Sequence, residues 1–215
     1  MATYTALVAV LLEPSGTLAE RRFTALQRIR HMYDAAYSRW LPHITLIPPF
    51  RWSSTEPMSS TDPPPWLQTK LHALTQDLQA ACALHHSHTL TLSDINTFRL
   101  RRYSNVHLRP DQASGTPLVA LQRDLARAAQ LHLPTGAKRK RERFIPHASL
   151  GQAYSCDDQR ALFDEARQTL GATAPEESSI EDGGLRVRIH QVQVMYKPST
   201  QKGPYTIWSH VPLRD

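Results

Sequence analysis

Arg39-Trp40-Leu41-Pro42-His43-Ile44-Thr45-Leu46 and Arg143-Phe144-Ile145-Pro146-His147-Ala148-Ser149-Leu150 are two versions of one octad in a chain of 215 residues. They agree by identity or close chemistry at every position except Ile44 against Ala148, and the second lies 104 residues after the first (147 minus 43). A His-x-[Ser/Thr] triplet by itself carries little information in a chain with 11 histidines. A third triplet, His85-His86-Ser87, stands in a polar connector and shares none of the surrounding pattern. The octads repeat the setting of the histidine as well as the histidine itself, which chance does not readily produce.

Each octad reads as the start of a strand. Residues i and i+2 of a strand share a face, so His43 and Thr45 are expected on one side, with Ile44 and Leu46 turned into a core. His147 and Ser149 follow the same rule, and a proline just before each histidine is tolerated where a strand begins. Two such strands related by a pseudo-twofold axis would present two imidazoles and two hydroxyls to one cleft.

Outward from the octads, Tyr4 to Leu12 reads as a buried strand, and Leu18, Phe23, Leu26, Ile29 and Tyr33 recur at helical spacing. The first octad strand, Trp40 to Ile47, is expected to close at Pro48-Pro49 and to lead into a long loop reaching Pro65, with six prolines. Leu67, Leu71, Leu74 and Leu78 predict a second helix. Thr89 to Leu92 and Asn105 to Leu108 alternate as strands around a basic turn at Arg99 to Tyr103. Thr116 as N-cap with Pro117 in the first helical position predicts a third helix carrying Leu118, Leu121 and Leu125. Phe144 to Gln152 reads as a strand. Ser155 with Asp158 forms a capping box for a fourth helix that ends at Gly171. An acidic loop from Pro175 to Gly184 precedes a last strand region through Val187 and Val194, and Tyr205 to Trp208 closes the order. Helices and strands mix throughout, as in an α+β chain.

The length suits one globular domain, with 40% hydrophobic and 20% charged residues. The apolar run Leu7 to Leu12 is far shorter than the ~20 residues of a membrane span, and no basic n-region precedes it, so neither a membrane partner nor secretion is expected. Cys82 and Cys156 stand alone, which points to a reducing compartment, cytoplasmic or nuclear. The net charge of +6 comes largely from one run, Lys138-Arg139-Lys140-Arg141-Glu142-Arg143. Setting its five bases and one acid aside leaves 20 bases against 18 acids, so the basicity is a local patch suited to a polyanion, a solvated loop or an import signal.

Two histidines with ordinary pKa values near 6.5 can act as a general base and a general acid, each typically contributing about 10²- to 10⁴-fold, and neither role needs a metal. The hydroxyls of Thr45 and Ser149 can donate to non-bridging phosphate oxygens. For either histidine alone, an ordinary strand residue bonded to backbone is the plainer account; the matched pair reverses that preference. Tyr103, beside Arg101 and Arg102, is a candidate for stacking on a base, although a turn with solvated arginines is the plainer account. Phe50 and Trp52 are candidates either for the cleft wall or for a loop anchor. His85, His86 and His88 lack a carboxylate or cysteine at ligand spacing, so no metal is assigned, and the lack of a Gly-rich phosphate loop disfavours ATP-dependent chemistry.

The motifs His43-Ile44-Thr45-Leu46 and His147-Ala148-Ser149-Leu150, half a chain apart, resemble those of the 2H phosphoesterase superfamily, the 2',5' RNA ligase-like and cyclic nucleotide phosphodiesterase proteins. The resemblance implies one bilobal domain over residues 1–215: two pseudosymmetric lobes of mainly antiparallel sheet with flanking helices and a central cleft. It implies His43 and His147 as the acid/base pair, Thr45 and Ser149 as phosphate binders, and no cofactor. The expected activity is metal-independent hydrolysis of a 2',3'-cyclic phosphate or a 2',5'-phosphodiester, on an RNA end or a small cyclic nucleotide, by a monomer. The alternatives are a non-catalytic module that binds RNA ends, or a 3' to 5' RNA exonuclease that uses the 2'-hydroxyl as nucleophile.

Overall fold

The computed structural model describes residues 2–55, 63–134, 143–170 and 183–215. Most of the basic run, most of the acidic loop and Gly171 lie outside the described residues.

The alternating or continuous apolar runs form eight strands, β1 (Ala2–Leu11), β2 (His43–Ser54), β3 (His88–Arg99), β4 (Ser104–Pro110), β5 (Ala148–Ala153), β6 (Leu185–Ile189), β7 (Gln191–Pro198) and β8 (Thr206–Pro212). The 3.6-periodic segments form α1 (Thr17–Tyr33), α2 (Pro65–Cys82), α3 (Gln112–Ala128) and α4 (Cys156–Leu170). The strands build two four-stranded antiparallel sheets, ordered β2-β1-β7-β8 and β5-β4-β3-β6. The fold is therefore α+β with two lobes.

The repeat seen in the octads extends to the topology. The unit β1-α1-β2-α2 matches β4-α3-β5-α4, and β2 and β5 are equivalent edge strands. The bridging helices reach the other lobe: α1 joins two strands of the first sheet but packs on α4 and β5, while α3 joins two strands of the second and packs on α2 and β2 as well as on β3 of its own sheet. One set of buried side chains, including Leu26, Ile44, Leu71, Leu121, Leu150 and Val194, runs through both lobes. At Gly151 of β5 an added Cβ would stand 2.5 Å from the Tyr33 Cβ and 2.7 Å from its carbonyl oxygen, so only glycine permits this approach of strand to helix end.

Several boundaries differ from the sequence expectation. Pro48-Pro49 does not end the first octad strand, because β2 continues to Ser54 and the long loop is correspondingly shorter. An edge strand pairs on one side only, and β2 steps three residues from Ile47 to Phe50 while β1 steps two from Val8 to Ala6; this bulge accommodates the prolines. The octad strands also begin later than expected, at His43 and at Ala148, so His147 immediately precedes β5. Helix α3 starts a turn before Thr116, because the Asp111 carboxylate accepts from the Ser114 backbone N–H at 2.9 Å and caps it earlier, leaving Pro117 inside the helix. The run 187–194 is two strands: the chain leaves the second sheet after Ile189 and enters the first at Gln191. The Ser155–Asp158 capping box is present, with reciprocal bonds of 3.0 Å. Phe50 and Trp52 are core anchors: both are buried, their rings 5.0 Å apart, and Trp52 Nε1 donates to the His132 carbonyl.

Candidate active site

Alternation along β2 and β5 buries Ile44, Leu46, Ala148 and Leu150 and leaves His43, Thr45, His147 and Ser149 partly exposed on the side away from the helices. The lobes share a register device here. Val8 pairs with Ile47 and Ala9 with Thr45, while Val106 pairs with Gly151 and His107 with Ser149. In each lobe one extra residue is accommodated between the positions two and four after the histidine.

Both motif histidines are held in the same way. His43 Nδ1–H donates to the Leu41 carbonyl at 2.7 Å, and His147 Nδ1–H donates to the Ile145 carbonyl at 2.9 Å. A ring bonded through Nδ1–H keeps Nε2 as the nitrogen that takes or gives a proton. Burial holds the pKa of each below its ordinary 6.5. For His43 the carbonyl bond opposes that shift, the Arg30 and His147 charges add to it, and Asp34 opposes it. For His147 the carbonyl again opposes it and Arg109 adds to it.

Their surroundings differ. The His43 ring stacks on Trp40 at 4.6 Å, and Trp40 stacks in turn on Tyr205 at 4.5 Å. Behind them Arg30 and Asp34, both buried, form an i,i+4 ion pair with Nη2 to Oδ2 at 2.9 Å. Arg30 also donates to the Trp40 carbonyl at 2.8 Å, and Asp34 accepts from the Ala36 backbone and from Gln152 of β5. This network ties the end of α1 to the segment that delivers His43. The pair, with His43, Asn105, Ser149 and Gln152, lines a pocket of about 220 Å³. Asn105 faces Ser149 at 3.3 Å, its amide donating to the hydroxyl.

Around His147 stand Phe98, edge-on at 4.8 Å, and His107 at 5.1 Å. His107 is completely buried, stacked on Phe98 at 4.1 Å, and burial pushes its pKa down to about 3, with the His147 and Arg109 charges adding to the shift. Its Nδ1–H donates to the Asn105 carbonyl at 3.2 Å, so Nε2 accepts from Arg109 Nε at 3.1 Å. Asn105, His107 and Arg109 alternate along β4, and that period of two was the available signal for a second polar row. Trp40 could be read within the octad; the role of Arg30 and Asp34 had only their helical spacing to mark it.

Tyr103 lies elsewhere, at the tip of the β3–β4 hairpin. It stands 5.8 Å from Tyr154 and lines a separate recess of about 480 Å³ with Arg99 and Arg102. His85 contacts Asp124, and His86 and His88 donate to backbone carbonyls; no group of three metal-ligating side chains occurs among the described residues. No helix among them is long and apolar enough to cross a membrane.

The sequence profile of the 2'-5' RNA ligase superfamily matches residues 14–193, a span that includes both octads. The chain belongs to this superfamily. Its members, the 2H phosphoesterases, are generally phosphodiesterases. At the level of whole sequences no curated protein matches. Among solved structures the superfamily fold is similar to that of E. coli LigT complexed with phosphate, at 17% identity and a TM-score of 0.51 over 100% of both chains. It is also similar to Kluyveromyces marxianus Usb1, at 13% identity and a TM-score of 0.52 over 97% of this chain and 98% of that one. E. coli LigT complexed with 3'-AMP aligns with a TM-score of 0.52 at 16% identity, covering 99% of each chain. At these identities the likeness concerns the fold.

Proposed function

We propose that this 2H phosphoesterase is a metal-independent phosphodiesterase that hydrolyses a 2',3'-cyclic phosphate or a 2',5'-phosphodiester at an RNA end or in a small nucleotide. The observation that carries the reading is the matched pair of imidazoles, each tethered through Nδ1–H to the carbonyl two residues earlier. The tether leaves each Nε2 with a lone pair in the neutral ring and a proton in the charged one, so a pair in opposite states supplies a base and an acid. The base takes a proton from water as its oxygen bonds to phosphorus. The bond from phosphorus to the ribose oxygen breaks, and the acid protonates the departing alkoxide. Thr45 and Ser149 hydroxyls donate to the non-bridging oxygens, with Asn105 orienting Ser149.

Both histidines come from one chain, which suits a monomer and a single bilobal unit over residues 1–215. Tyr103, with Tyr154 and Arg102 beside it, is assigned to a nucleotide further along a bound RNA.

The test is a panel of nucleoside 2',3'-cyclic phosphates, 2',5'-linked and 3',5'-linked oligomers, with product analysis and with EDTA present. His43→Ala and His147→Ala should each lose several orders of magnitude in kcat, and the double variant should be little worse than either, because acid and base act as a unit. Thr45→Ala and Ser149→Ala should lose about 10- to 10³-fold. Near-normal turnover in either histidine variant would refute the mechanism. Loss in EDTA with recovery on one added divalent cation would refute metal independence.

A further inference from the structure

The two lobes match in register but not in what faces the histidines. Val10 pairs with Ile44, and one step further along β1 Leu11 pairs with His43. In the other lobe Leu108 pairs with Ala148, and one step further along β4, at the position equivalent to apolar Leu11, stands Arg109. Its Nε is committed to His107 and its guanidinium carbon lies 5.4 Å from the Phe98 ring centroid, so the group is aimed rather than free to wander. Its two terminal nitrogens have no hydrogen-bond partner among the described residues.

Arg109 also lines a recess of about 410 Å³ formed by the end of β4, the start of α3 and the segment that delivers His147. Arg123 and Arg143 line it as well, and Pro146, next to His147, forms wall together with Val119 and Ile145, both exposed apolar side chains. The carboxylates nearby are already engaged. Asp111 accepts from the Ser114 N–H and hydroxyl, and Asp124 is shared among His85, Arg123 and Arg127. Asp94, across from Arg109 in the β3–β4 register, supplies a single opposing charge. Three guanidinium groups over an apolar wall suit a phosphate with a base attached.

We propose that this recess is a second nucleotide subsite, in which Arg109, Arg123 and Arg143 hold the internal phosphodiester flanking the one that lies at His43 and His147. The inference rests on the phosphodiesterase reading and narrows its substrate to an oligonucleotide end. Burial lowers the Arg109 pKa, in keeping with a cation that gains from an incoming anion.

The test compares a nucleoside 2',3'-cyclic monophosphate, which has no flanking phosphate, with a trinucleotide ending in a 2',3'-cyclic phosphate. Arg123→Gln with Arg143→Gln leaves the histidine pair and Arg109 in place. The double variant should lose about 10- to 100-fold in kcat/KM on the trinucleotide, as expected for two charge-assisted contacts, and stay within about twofold on the mononucleotide. In parallel, fluorescence anisotropy with a labelled trinucleotide 3'-phosphate should show weaker binding and a salt dependence shallower by up to about 0.7 in log–log slope, because the arginines share one phosphate. An unchanged trinucleotide-to-mononucleotide ratio with unchanged binding and slope overturns the subsite while leaving the phosphodiesterase reading intact. A wild-type protein that turns over neither substrate counts against that reading, and the anisotropy result then decides the subsite alone.

Discussion

His107 should make this protein acid-labile, and the effect can be isolated with one substitution. The ring is fully buried, with a folded-state pKa near 3 against an ordinary 6.5 in the unfolded chain. Between those values the unfolded chain binds a proton that the native state refuses, so stability is fully present above pH 6.5 and is lost as pH falls toward 3. The gap corresponds to about 5 kcal/mol when complete, at ~1.4 kcal/mol per tenfold, and to about 2 kcal/mol already at pH 5. The half-buried histidines His43, His88 and His147 shift in the same direction and add to the fall in the wild type. His107→Gln keeps a side chain able to accept from Arg109 but does not titrate. Urea unfolding at pH 7.5 and pH 5.0 should show the wild type losing about 2 kcal/mol more than the variant, roughly 1 M in midpoint at a slope near 2 kcal/mol/M. The variant can be less stable at both pH values through poorer packing; the difference between its two midpoints is what matters. Equal pH dependence in the two proteins would show that His107 is not held neutral.

Two further outcomes are expected. Because burial lowers both motif histidines in the free protein, kcat/KM for a cyclic substrate should follow a bell with its maximum on the acid side of pH 6.5, while kcat should peak at higher pH, since a bound phosphate anion favours the protonated ring; rates measured from pH 4.5 to 9 that rise without a fall would exclude a histidine acid. Gly151→Ala should cost about 1 to 3 kcal/mol in urea unfolding, because the new methyl meets the Tyr33 backbone, and an unchanged midpoint would refute that close approach.

The octads made the two histidines, their hydroxyl partners and the doubled architecture legible, because strand parity and a repeated motif are local properties of the chain. Helical periodicity did the same for α1, α2 and α4. Other features depend on which strand neighbours which. Proline lost its meaning as a stop signal once β2 proved to be an edge strand, and the N-cap of α3 moved to Asp111 because its carboxylate reached the Ser114 N–H. Arg30 and Asp34 look like an ordinary surface pair at i,i+4; only the packing of α1 against the other lobe buries them behind Trp40. The sharpest case is β4. Asn105, His107 and Arg109 alternate in the sequence like any half-exposed strand, and nothing local distinguishes them. Pairing β4 with β5 places His107 opposite Ser149 and against His147, buries it, and aims Arg109. The sequence determined that there would be two histidines in equivalent places; the tertiary structure alone decided that they would be unequal, because desolvation and neighbouring charge are set by the side chains that converge in space.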